Sequence, residues 1–224
     1  LYEIGHWDEV MDLCMANIED IEATVDPTKD VQHIKAAVIG ARAAWSLNEW
    51  SVMDSFVSRL SQDNIDASFM RAVIAANSED YNKAKVYIDR TRRMLDESLT
   101  ALLGESYSRA YVSFIMTQQL SELEEIIDYK TLLTRAGVKA STVPDDSLDD
   151  LIDVRVISRQ NSLSSAGNVN FESDDNSMKK ALYAEAMHRK TFLMDTWKRR
   201  INGCLSSGQA AISHWQRLLN VRRI

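Results

Sequence analysis

Between Tyr81 and Leu102 apolar or small residues return every three or four positions: Tyr81, Ala84, Ile88, Thr91, Leu95, Leu99 and Leu102. That spacing predicts one amphipathic helix of about six turns, apolar on a single side. Such a helix cannot bury its face alone and needs partners of the same kind. The rest of the chain supplies them. Stripes at helical spacing run through Val10, Leu13, Cys14 and Ile18, and through Val31, Ile34, Val38, Ala41 and Trp45. Two more follow in Trp50, Met53, Phe56, Val57 and Leu60, and in Phe69, Val73 and Ala76. Asp26-Pro27 reads as a helix start, and Asp63 or Asn64 can cap the helix that carries Phe69. Only 7 Gly and 2 Pro occur in 224 residues, too few for an all-β chain with many tight turns. The expected fold class is all-α.

The helices repeat. Ala44-Trp45 is followed by four residues and Trp50; Ala75-Ala76 is followed by four residues and Tyr81; Leu1-Tyr2 stands in the same relation to Trp7. The aromatics that open these helices are 43 and 31 residues apart. Helical hairpins of that period stack into α-solenoids, here as degenerate tetratricopeptide- or HEAT-like units. Ala75-Ala76 and Tyr81 are therefore expected at a hairpin corner.

A sharper corner is expected within 104–130. Tyr107, Ala110, Tyr111, Phe114 and Gln118 mark one stripe, and Leu123, Ile126, Ile127, Lys130 and Leu133 a second. Ser121 and Glu124 have capping-box spacing, which predicts a new helix starting at Ser121. Glu105 and Arg109 stand four apart, acid first, the favourable order for a helical ion pair.

The composition changes after residue 136. Residues 137–177 hold 8 Ser and 8 Asp+Glu against 3 Lys+Arg, with Pro144 and Gly167 as breakers. Their apolar content is too thin to offset the entropy of ordering, so disorder is expected, with at most a turn of helix within Leu148 to Ile157. Helix is expected again from Met178, with Leu182, Ala186, Leu193, Trp197 and Ile201 inward and Gly203 ending it. Ser206 or Ser207 would cap a last helix carrying Ala211, Ile212, Trp215, Leu218 and Leu219, packed back on Trp197 and Ile201. The expected organisation is thus helical repeats over 1–136, an acidic, Ser-rich insertion over 137–177 and a basic helical hairpin over 178–224.

Charge follows the same division. Residues 178–224 carry 10 Lys+Arg against 2 Asp+Glu, although the whole chain has a net charge of −7. The overall charge argues against nucleic acid as a partner. Lys198, Arg199, Arg200, Arg217, Arg222 and Arg223 form a candidate contact for an acidic surface or polyanion. Packing against acids of the same chain, such as Glu122, Glu124 and Glu125, explains them equally well.

No catalytic constellation appears: there is no phosphate loop, nucleophile elbow or kinase motif. Glu185-x-x-His188 has the spacing of di-iron bundles but lacks the facing ligands, and Asp30-x-x-His33 is a weak echo of it. The five Trp and nine Met fit core packing better than a ligand cage. Cys14 and Cys204 lack metal-type spacing and read as reduced, buried thiols. No run approaches the roughly 18 apolar residues of a membrane span. Arg159-x-x-Ser162 marks Ser162 as a candidate phosphosite. The start Leu-Tyr-Glu, without Met or a signal peptide, suggests an excised piece.

Several segments carry a family resemblance. Gly-Glu-Ser-Tyr-Ser-Arg-Ala-Tyr at 104–111, Leu-Ser-Glu-Leu-Glu-Glu at 120–125 and Tyr129-Lys130 closely resemble the FAT region of the phosphatidylinositol-3-kinase-related protein kinases. Ala-Trp-Ser-Leu-Asn-Glu-Trp at 44–50, Phe-Met-Arg-Ala-Val at 69–73 and Trp-Gln-Arg-Leu-Leu-Asn-Val-Arg at 215–222 match in order. Within that family the segments look most like the target-of-rapamycin branch. The resemblance covers roughly 38–133 and 190–224 and breaks at 137–177, which marks those residues as a lineage-specific insertion. It implies a non-catalytic scaffold that cradles a serine/threonine kinase domain and helps assemble a kinase complex in growth and nutrient signalling. ATP and magnesium are implied for the parent kinase and no cofactor for this segment. Expected partners are the kinase domain, adjacent repeats and complex subunits; the expected location is cytoplasmic, peripheral on endomembranes through partners. The alternatives are another related kinase, a kinase-dead adaptor, or a free-standing tetratricopeptide-like adaptor.

Overall fold

A computed structural model describes residues 5–22, 31–103, 107–138, 174–206 and 212–224. Among the described residues there are eight helices and no strand: α1 (Trp7–Glu22), α2 (Val31–Leu47), α3 (Trp50–Ser58), α4 (Ile65–Asn77), α5 (Tyr81–Leu103), α6 (Tyr107–Arg135), α7 (Asp174–Ser206) and α8 (Ile212–Arg222). The chain forms two compact units, one of Leu1–Ile127 with Arg199–Ile224 and one of Asp128–Lys198.

In the first unit α1 packs on α2, α2 on α3 and α4 on α5, while α2 and α3 also meet α4. This is the stacked-hairpin arrangement of an α-solenoid, as the repeat implies. Small residues set how closely the helices approach. A Cβ added at Gly40 of α2 would lie 2.6 Å from the ring of Phe56, which is fully buried in α3. α4 is buried on most of its circumference, through Ala67, Ser68, Phe69, Met70, Ala72, Val73, Ala75 and Ala76. Trp45 and Phe69 join α2 to α4 with ring centroids 5.9 Å apart and planes tilted by 58°. Between α4 and α5, the buried Thr91 hydroxyl donates to Tyr87 O at 2.8 Å and shares a hydrogen bond with the Ser68 hydroxyl at 2.9 Å, so no polar atom of the pair is stranded.

The corners repeat atom for atom. After α2, Glu49 N–H donates to Ala44 O at 2.8 Å and Asn48 N–H to Trp45 O at 3.1 Å. After α4, Asp80 N–H donates to Ala75 O at 3.0 Å and Glu79 N–H to Ala76 O at 3.3 Å. These are two Schellman motifs, which satisfy carbonyls that a helix end leaves open. Each needs one left-handed residue, and Asn48 and Glu79 both have φ of +62°. Gly137 (φ +76°) makes the same motif after α6, with Val138 N–H donating to Leu133 O at 3.0 Å. Gly5, two residues ahead of Trp7, is left-handed as well, at φ +85°. The expected corner at Ala75-Ala76 and Tyr81 is therefore present. Asn64 caps α4, its Oδ1 accepting from Ala67 N at 2.9 Å, and Asp80 caps α5, its Oδ1 accepting from Lys83 N at 3.1 Å.

Four expectations are corrected. There is no corner at Ser121: α6 runs unbroken for 29 residues. The stretch contains neither Gly nor Pro, and the Ser121 hydroxyl donates back to Thr117 O at 3.1 Å instead of capping a new start. Gly203 does not end α7, which continues to Ser206, since one interior Gly costs a helix only about 1 kcal/mol. α7 also begins at Asp174, earlier than Met178; Asp174 and Asp175 favour a helix N-terminus. Leu13, Val31, Phe114 and Leu219, expected inward, are exposed; on α6 the buried face runs through Ile115, Gln119 and Leu123, and Phe114 is turned away from it.

In the second unit the end of α6 contributes buried Leu133 and Ala136, and α7 contributes Ala186 and Leu193. Arg189 Nη2 lies 3.5 Å from Asp128 Oδ2. Burial, helped by the nearby Tyr183, pushes the Tyr129 hydroxyl above its ordinary pKa. Leu1-Tyr2, Asp26-Pro27, the Glu105–Arg109 pair, residues 139–173 with Leu148 to Ile157 and Ser162, the Cys204 side chain, the caps at Ser206 or Ser207, and the packing of Ile201 on Ala211, Ile212 and Trp215 lie outside the described residues.

Candidate functional site: the charge cluster on α6

The acids Glu122, Glu124 and Glu125 sit near the middle of α6. Positions three apart share a helix face, so Glu122 and Glu125 point together while Glu124 points away from them. The structure uses both directions. Glu124 forks onto Arg92 of α5, with Arg92 Nη2 to Oε2 at 2.6 Å and Nη1 to Oε1 at 3.3 Å. Glu122 and Glu125 receive arginines from α7 and α8.

Glu122 is wholly buried. Arg222 of α8, whose side chain is 8% exposed, grips it with Nε to Oε2 at 2.7 Å and Nη2 to Oε1 at 2.8 Å. Arg200 Nη1 of α7 adds a contact to Oε1 at 3.3 Å, and Gln118 Nε2 donates to the same oxygen at 3.0 Å. Arg200 also forks onto Glu125, at 3.1 and 2.9 Å. Taking a carboxylate and a guanidinium out of water costs several kcal/mol per ion. Paired, charge-assisted bonds to both carboxylate oxygens are what offset it. The hydrogen bond to Glu125 holds the Arg200 guanidinium above its ordinary pKa against the opposing effect of burial. Arg92 is held above its ordinary value in the same way by its bond to Glu124.

α8 is further held by polar contacts. Gln119 Nε2 of α6 donates to Arg217 O at 2.9 Å, and Asn220 Nδ2 donates to Ser46 Oγ at 3.0 Å. Arg223 Nη1 donates to Ser46 O at 3.1 Å, placing a cation at the C-terminal end of α2 where the helix dipole is negative. Val221 is its fully buried apolar anchor, while Leu219 is exposed.

The six basic residues singled out in the sequence are therefore not one uniform surface. Arg200 and Arg222 are bound to α6 acids, and Arg223 reaches the end of α2. Arg217 is half-buried beside a cavity of about 20 Å³ bordered by Trp7, Trp45, Phe69, Met116 and Gln119. That volume suits one water and no larger ligand. Arg199 is exposed on the first unit's part of α7, and Lys198 is exposed on the second unit's part. Glu185 and His188 are exposed on α7, and among the described residues no group of three or more His, Cys, Asp or Glu is placed to hold a metal. Cys14 is a free, buried thiol, and burial raises its pKa.

Two arginines that sequence reasoning passed over belong to the same kind of chemistry. Arg71, inside Phe-Met-Arg-Ala-Val, donates to Val57 O at 3.1 Å and Leu60 O at 2.8 Å, closing the C-terminal end of α3 from α4. Arg42 of α2 pairs with Asp66 of α4 at 2.6 Å. The available signal was an arginine set among otherwise buried positions of a helix.

A helical-hairpin stack cross-linked by arginine–carboxylate pairs defines a scaffold segment. The chain belongs to the FAT domain family, which matches residues 37–224. It is similar to the Target of rapamycin homolog of Caenorhabditis elegans, 38% identical over 137 residues, and to Serine/threonine-protein kinase tor1 of Schizosaccharomyces pombe, 40% identical over 130 residues. It is 36% identical over 135 residues to Serine/threonine-protein kinase mTor of Drosophila melanogaster. These matches cover 58%, 58% and 60% of this chain and 5% of each relative, so the chain spans a small fraction of the length of the curated relatives it matches. The resemblance to the target-of-rapamycin branch is thus borne out. No helix among the described residues is long and apolar enough to cross a membrane.

Proposed function

We propose that this chain is a non-catalytic scaffold segment of a target-of-rapamycin-type serine/threonine protein kinase, cradling the kinase domain, meeting adjacent helical repeats and supporting complex assembly in growth and nutrient signalling. The observation that supports it is the use made of the Leu-Ser-Glu-Leu-Glu-Glu acids. Each is matched to arginine from another helix, Arg92 of α5, Arg200 of α7 or Arg222 of α8, so the polar chemistry of the segment holds helices together. On this reading ATP, magnesium and phosphoryl transfer belong to the kinase domain of the parent protein, which acts in the cytoplasm and reaches endomembranes through its partners. The part of the basic set that faces solvent, including Arg199, is read as a contact for an acidic surface or polyanion, and Ser162 as a phosphate acceptor.

The test is made in the intact kinase. Glu122→Leu should reduce recovery of complex subunits and lower protein kinase activity, and adding Arg222→Met should restore both in part. Full assembly and activity in the single variant, with the chain shown to be destabilised, would overturn the reading. Phosphate transfer by the isolated chain would overturn it as well.

A further inference from the structure

We draw no further inference here: the strongest candidate, the exposed apolar and basic surface over the first turns of α7 (Met178, Lys180 and Tyr183), carries nothing because nothing in the structure shows what covers it.

Discussion

Replacing Glu122 with Leu should cost this chain about 3–5 kcal/mol, the usual consequence of removing one partner of a buried ion pair. The loss falls mainly on Arg222. Its side chain is 8% exposed and donates its two short bonds, 2.7 and 2.8 Å, to Glu122. Arg200 loses less, because it keeps its fork on Glu125 and is 34% exposed. Arg222→Met should cost less than Glu122→Leu, about 2–3 kcal/mol, since Arg200 and Gln118 still reach the carboxylate. The double variant replaces the pair with apolar groups of similar size, which is often close to neutral. The cycle should therefore show a coupling of several kcal/mol. Glu124→Ala is the internal control. Glu124 and Arg92 are 37% and 33% exposed, so breaking that pair should cost about 1 kcal/mol or less. Urea unfolding followed by tryptophan fluorescence and far-UV circular dichroism gives the stabilities of the parent chain and the four variants. A cost below about 1 kcal/mol for Glu122→Leu, or additive single variants, would refute the reasoning.

Substitutions at three further positions probe the frame. Gly40→Ala should lower stability by about 1–3 kcal/mol although alanine favours helix, because its Cβ would meet the buried Phe56 ring; a rise in Tm would show that α2 and α3 do not approach so closely. Glu79→Gly should stabilise by about 1 kcal/mol, because a side chain at φ +62° carries a left-handed penalty that glycine lacks; thermal melts showing a loss would contradict the corner geometry. Arg71→Ala should cost about 2 kcal/mol by leaving α3 carbonyls open, with Arg71→Lys recovering part of it; equal melting curves for all three proteins would remove the assigned role.

The helices and their corners were legible because they are written locally. Trp50 and Tyr81 mark the residue after each Schellman corner, and the 31-residue interval between them recurs in the hydrogen bonds. The left-handed residue itself was legible only in part: Asn48 is a usual choice, whereas Glu79 is not. Ser121 and Glu124 misled because a capping box is also local. Glu124 has a partner 32 residues away in Arg92, and nothing in 107–135 breaks the helix. The charge asymmetry correctly brought the α6 acids and the C-terminal arginines into one argument. It could not assign the pairs, since Glu122 and Arg222 are 100 residues apart and their meeting depends on how α8 lies on α6. The exposure of Leu13, Val31, Phe114 and Leu219 was hidden for a related reason: a helical stripe marks a candidate face, and only the neighbouring helices decide which face is covered and how widely.

Hydrogen exchange read by mass spectrometry, comparing the chain with its Glu122→Leu variant, tests most directly whether the α6 acids hold α8 in place. The account predicts the largest loss of protection in α8 and in the middle of α6, with a smaller loss in α4 and α5 set by the fall in global stability. Unchanged protection in α8, or an equal loss across all helices, would contradict it.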